Sequence, residues 1–403
     1  MKIIACQRYV LAVLIGLLST LSLSGCAAWE AVTDFSNSLL GGEDNSEPPN
    51  ELVDYEAEVQ IDTLWQQDIG DGYEQQAVKL IPAVDAGFIY AADRDGVVEA
   101  RDALSGDLIW QVETDLLLSA GPGLGNEVLI VGDSNAQVVA LSKQSGEVLW
   151  QTRVSSEVLS VPVVAEGIVI VRTVDGKVFA LREDDGGEIW VFEKNIPALS
   201  IRGAATPVIE TNRIVNGYAN GKAIALRLSD GKQLWETSIA IPKGRSEVER
   251  LVDLVADPVA AEGVVFIAAY HGGISALLSD DGTVLWRNQN LSCYAGLAVD
   301  WRYLYVTDVD SDVWQLDLRN GASLWKQRAL HRRALTGPVV YDEYVVVADF
   351  EGYVHWLSKA DGRQLGRVQI SDSPVLARPQ VVDGVVYVYA SDGALAALRV
   401  QAP

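Results

Sequence analysis

The chain has 403 residues, of which 49% are apolar, and a formal charge of −24. The apolar share is enough for a large core, and the acidity excludes a nucleic-acid binder, which needs a basic face. The same acidity fits either solubility or attraction to a basic protein patch.

In chain order, the first element is a targeting segment. Lys2 and Arg8 precede the apolar run "YVLAVLIGLLSTLSL", which ends at Leu23-Ser24-Gly25-Cys26. A short basic start, an apolar run of about fifteen residues and small residues at its end describe a signal peptide over residues 1–25. The run is too short for a permanent membrane span. Leu-Ser-Gly-Cys resembles the bacterial lipobox, which implies cleavage before Cys26 and acylation of its thiol. Ala27 follows, where an Asp would favour retention at the inner membrane, so lipoproteins of this kind are expected on the periplasmic side of the outer membrane. Residues 26–57 contain "GGEDNSEPPNE" and no Lys or Arg, and read as a flexible acidic tether.

From residue 58 the chain repeats about every 40 residues, the period of propeller blades. A Gly and a Trp stand four residues apart at Gly106–Trp110, Gly146–Trp150, Gly186–Trp190, Gly231–Trp235, Gly282–Trp286 and Gly321–Trp325. Ten residues before each Trp comes Ala100, Ala140, Ala180, Ala225, Ala276 or Gln315. Still earlier comes a turn pair: Asp95-Gly96, Asn135-Ala136, Asp175-Gly176, Asn220-Gly221, His271-Gly272 or Asp310-Ser311. A seventh copy has Trp356 and Gly362 but Gly366 in the Trp position, and an eighth stops after Ala397. Short Val/Ile-rich runs between such turns are hairpin-linked strands. A further strand starts near a recurrent Pro, at Pro82, Pro122, Pro162, Pro207, Pro258, Pro338 and Pro379, with Leu297 once in that slot. Four antiparallel strands per period, repeated radially, predict an all-β, eight-bladed β-propeller over residues 58–403. The lone strand around Trp65, residues 59–68, supplies the outer strand that the eighth repeat lacks. The repeated Gly enters the outer strand with φ > 0, and the Trp packs between blades.

Candidate chemistry is sparse. Cys26 and Cys293 are the cysteines of the mature chain, and Cys293 reads as a small buried residue. His271, His331 and His355 have no metal-ligand spacing. Asp308-Val-Asp310-Ser-Asp312 begins like a calcium loop but continues with Val313 and Arg319 where Gly and Glu are needed. No cofactor is expected.

Two connections are longer than the rest. The step from outer-strand Trp to the next Pro is 12 residues at Trp110–Pro122 and at Trp150–Pro162, but 17 at Trp190–Pro207 and 23 at Trp235–Pro258. They join consecutive blades on one face of the ring. They carry Ile196, Leu199, Ile201, Ile241, Leu251 and Leu254 beside Lys243, Arg245, Arg250 and Asp253, a composition suited to protein binding. Trp65–Pro82 is also 17 residues long, several blades away.

The run Ala-x-Asp-x-x-Ser-Gly-x-x-x-Trp at Ala100–Trp110 resembles the repeat of pyrroloquinoline quinone enzymes, but the paired cysteines and calcium ligands of that chemistry are missing. The whole chain resembles the BamB lipoprotein family, non-enzymatic accessory subunits of the machine that folds β-barrel proteins into the outer membrane. In that family a Leu-Ser-Leu-Arg-Gly segment and an Arg-Leu-x-Asp segment meet the periplasmic POTRA domains of BamA. The resemblance therefore implies partner contact through Leu199, Ile201, Arg202, Arg250 and Asp253, and possible contact with unfolded barrel substrates. A second acidic position of the family is Val255 here, with Asp257 as a substitute. The alternatives are a quinone-dependent dehydrogenase and a cell-wall or polysaccharide binder.

Overall fold

The computed structural model describes residues 47–74 and 76–401. The signal segment and Cys26 lie outside the described residues. In seven of the eight blades, four antiparallel strands follow one another in sequence. Blade one comprises Ala83–Asp85, Phe88–Ala92, Val97–Asp102 and Leu108–Glu113. The short first strands, such as Ala83–Asp85 and Val163–Ala165, contact one another around the axis. Blades pack face to face, so a middle strand is covered on both sides. Val128–Asp133 is buried at every position, and such strands read as continuous apolar runs rather than alternating ones. Outer strands such as Leu108–Glu113 are exposed or half-buried along their whole length.

The eighth blade closes the ring as expected. Ile61–Asp68 pairs antiparallel with Ala394–Val400, from Ile61 opposite Val400 to Asp68 opposite Ala394. This removes the free edge that an incomplete last blade would present.

The joints between blades explain the repeated Gly and Trp. Gly146 has φ 73°, and a Cβ there would come within 2.6 Å of the Trp110 ring of the preceding blade. The Trp110 indole N–H donates to Lys143 O at 2.9 Å, crossing the same joint. The pattern recurs from Trp65, which bonds Ala103 O at 3.0 Å, to Trp325, which bonds Lys359 O at 3.0 Å. One joint differs. Trp356 lies opposite Gly366, the reverse of Ala100 opposite Trp110, so the large and small partners have changed strands. The reason is the entering chain. A Cβ at Gly366 would lie 3.0 Å from Val59 O and from Ile61 Cδ1. Trp356 is fully buried and donates to Tyr341 Oη at 3.0 Å.

Local departures from the repeat have steric causes. In blade five the left-handed residue is Gly273 (φ 87°), not Gly272, and neither has room for a side chain: a Cβ would meet Asn288 O at 2.2 Å at the first and Ala240 Cβ at 2.2 Å at the second. Pro122 falls inside Leu118–Leu124 rather than at its start, at an irregularity in the pairing. There Lys79–Leu80 adds a fifth, parallel strand, with Lys79 opposite Ala120.

The ring's compact unit begins at Pro49, not at residue 58. Residues 49–58 form a strap along the outer edge of blade seven. Asn50 accepts from Arg333 Nη1 at 3.0 Å and donates to Arg328 O at 3.0 Å. Arg367 Nη1 donates to Val53 O at 2.9 Å, and Arg363 grips Glu58 with two bonds of 2.9 Å. Glu58 and Val59 N–H groups both reach Leu365 O. The acidity that suggests a free tether is matched here by arginines of the ring.

Candidate docking face

The two expanded connections leave Glu188–Glu193 and Gln233–Ser238 and return at Val208–Glu210 and Val259–Ala261. Both run beside the turns that join the second and third strands of each blade, with Lys194 N–H on Gly176 O at 3.4 Å in the first and Ile239 N–H on Gly221 O at 2.8 Å in the second. They therefore share one face of the ring.

The first connection is pinned from beneath and displays its upper side. Ile201 N–H donates to Asp253 Oδ1 at 2.9 Å, and Thr206 N–H to Asp257 Oδ1 at 2.5 Å. Ala205 O accepts from Arg172 Nη1 at 3.1 Å. Between these anchors Leu199 is 46% exposed, Ile201 is half-buried and Arg202 is exposed. Arg202 Nη2 donates to Glu157 Oε1 at 2.8 Å, an oxygen that also accepts from Ser134 Oγ at 3.0 Å. Glu157 is largely covered while the guanidinium remains 56% exposed. One edge of the guanidinium is thus fixed and the rest faces water.

The second connection is exposed from Ile241 to Arg250. A single capped turn shapes it. Glu249 N–H donates to Ser246 Oγ at 3.2 Å, and the Glu249 carboxylate accepts from Arg245 N–H at 2.7 Å. Arg250 projects from this turn, 4.0 Å from Glu247. Val252, Asp253 and Leu254 then dive into the ring. A groove of about 310 Å³ lies beside the turn, lined by Ile241, Lys243, Glu249, His271 and Arg287.

The five residues expected at a partner surface thus have unequal settings. Leu199, Ile201, Arg202 and Arg250 reach the surface, whereas Asp253 is only 1% exposed. Burial pushes the Asp253 carboxyl up, with the Ile201 N–H working against it. Its position ties one connection to the other. Asp257, the substitute for the acid missing at Val255, has its carboxylate bonded to Lys79 and to the Thr206 N–H. Glu157 carries no sequence signal, since it sits in a connection of ordinary length and meets Arg202 only through the fold. Leu254 and Leu251 pack inward, and Val248, at 63% exposure, takes their place at the surface.

The other chemically suggestive residues are engaged in structure. Asp308 Oδ1 takes the N–H groups of Asp310 and Asp312, both at 2.9 Å, and Oδ2 takes the Trp314 indole at 2.7 Å. Asp312 is paired with Lys326 at 2.5 Å and with His331 at 2.8 Å. Cys293 is fully buried, and burial pushes its thiol up to about 12. Among the described residues, no group of three or more His, Cys, Asp or Glu side chains has the arrangement of a metal site.

A family model described as "Outer membrane protein assembly factor BamB" matches residues 94–327 and 324–401. An "Outer membrane protein assembly factor BamB" of Alkalilimnicola ehrlichii is 48% identical over 350 residues, 87% of this chain and 91% of that protein. The chain belongs to the BamB family. Among solved structures, BamB from Moraxella catarrhalis superimposes with a TM-score of 0.77 over 84% of this chain and all of that one, at 23% identity. A quinohemoprotein alcohol dehydrogenase from Comamonas testosteroni also superimposes, with a TM-score of 0.67 over 85% of this chain and 77% of that one, at 13% identity. That likeness concerns the propeller fold, which does not by itself carry a function.

Proposed function

We propose that this BamB-family chain is a non-enzymatic scaffold of the outer-membrane β-barrel assembly machinery, docking on the POTRA domains of BamA and assisting insertion of barrel proteins. On this reading residues 1–25 are a signal peptide, and lipid on Cys26 holds the chain at the periplasmic side of the outer membrane. The reading rests on one observation above all. Asp253 locks two adjacent expanded connections together, so that Leu199, Ile201 and Arg202 are offered on a pinned backbone. A preorganised loop loses less freedom on binding than a mobile one. Arg202, fixed at one edge by Glu157, keeps donors free for a carboxylate or carbonyl of the partner. Arg250 adds a second cation from the neighbouring turn, and Asp253 acts as a positioning residue.

Titration against isolated POTRA domains tests this. Arg202→Ala should weaken binding by about 2 kcal/mol, roughly thirtyfold. Its melting temperature should stay close to that of the parent, because an ion pair this exposed contributes roughly 1 kcal/mol at most. Unchanged affinity would remove Arg202 from the interface.

A further inference from the structure

The third long connection, between Trp65 and Pro82, turns inward and fills part of the ring axis. Around it lies a cavity of about 130 Å³ lined by Tyr73, Lys79, Asp257, Leu297, Leu376 and Arg378. Asp257 and Arg378 also line a wider opening of about 340 Å³ among Pro82, Pro122, Pro162 and Gln380. The small cavity therefore adjoins a larger mouth between the inner strands.

The charges in this cavity do not balance. Lys79 Nζ sits 2.5 Å from Asp257 Oδ1 and 3.0 Å from Ala204 O, so it is satisfied. The same Asp257 oxygen takes the Thr206 N–H. Arg378 has no carboxylate within ion-pair distance among the described residues. Its Nε donates to Pro338 O at 3.1 Å, and its terminal amino groups make no hydrogen bond to the described protein. Lys79 thus takes the one carboxylate of the cavity, and Arg378 is left without an ion-pair partner inside a chain whose overall charge is −24. Burial pushes the Arg378 guanidinium down, with only the more distant Asp257 acting against it. The Arg378 side chain is half-buried, with its terminal amino groups open to the cavity and no counter-charge beside them, and a planar fork of donors matches a two-oxygen anion.

We propose that the axial cavity binds a small oxyanion, of phosphate or carboxylate size, with Arg378 as the direct contact and Lys79 as a supporting charge. The small cavity has room for such an ion, and the wider opening that Arg378 also lines gives it a way in. Asp257 and Ala204 of the expanded connections border Lys79, but the direct contact, Arg378, lies outside both connections, so its variant separates this proposal from the docking one.

The test uses the purified full chain, with inorganic phosphate and acetate as probes and chloride at matched ionic strength as the reference. At least one probe should raise the melting temperature saturably beyond chloride, and which one does distinguishes phosphate from carboxylate. Arg378→Gln should weaken that effect at least tenfold. Equal responses in parent and variant, or no saturable response in the parent, overturn the proposal. Should the variant not fold, crystals of the parent soaked in selenate decide by anomalous scattering. A peak at Arg378 supports the site, and peaks only elsewhere overturn it.

Discussion

Glycine has two separate tasks, in a hairpin turn within a blade and at the joint between blades, and they can be told apart. Gly87 and Gly146 both have positive φ, 85° and 73°. A Cβ at Gly87 meets nothing within 4 Å, whereas one at Gly146 would strike the Trp110 ring. Gly87→Ala should cost only the backbone strain, about 1 kcal/mol. Gly146→Ala adds overpacking against an indole, so about 3 kcal/mol is expected. Denaturant unfolding of the two variants measures the difference, and equal losses would mean that the indole gives way freely. The sequence spacing exposed this pairing because it recurs. Arg202 was marked by the family resemblance, at a place in an unusually long connection. Its partner Glu157 was not, because nothing local distinguishes it from other surface acids.

At the scale of elements, connection length was readable and connection direction was not. Trp65–Pro82 and Trp190–Pro207 are equally long, yet the first enters the axis through Lys79 and the second rises to the face through Leu199. The side chains that decide this, Asp257 and Asp253, lie far along the chain from the segments they hold. The strap makes the same point. Residues 49–58 look like free tether by composition, but Arg333, Arg363 and Arg367, hundreds of residues later, grip them. Reversing two of these charges, as Arg363→Glu with Arg367→Glu, should free the strap. Limited proteolysis would then cut between residues 49 and 58 while the ring stays resistant and melts only slightly earlier. Unchanged resistance of the strap would show that apolar contacts such as that of Leu52 hold it without the arginines.

For the whole molecule, acid acts through two opposed effects. Protonating surface carboxylates relieves repulsion within a chain of charge −24, which favours the folded ring. The buried group of His355, Asp349 and Arg333 does the reverse. Burial holds His355 below its ordinary 6.5, against the pull of Asp349 3.0 Å away. Below pH 6.5 the unfolded chain therefore takes up this proton before the folded one does, and stability is lost. Burial pushes Asp349 upward, but the His355 and Arg333 contacts outweigh it and hold the carboxyl below 3.8, so the loss continues at lower pH. His355→Gln should remove the part of the fall that begins near pH 6.5 and lessen the part below 3.8, where Arg333 alone still holds Asp349, as melting curves across pH would show. Parallel curves for parent and variant would deny His355 this role. Closure of the ring has a consequence of a different kind, in time. A chain made from its N terminus yields Ile61–Asp68 early, while the partner strand Ala394–Val400 comes last. The first strand must wait unpaired through the synthesis of seven blades, and a product cut short before residue 394 has nothing to seal it. Folding of this ring is thereby a test of the chain's full length.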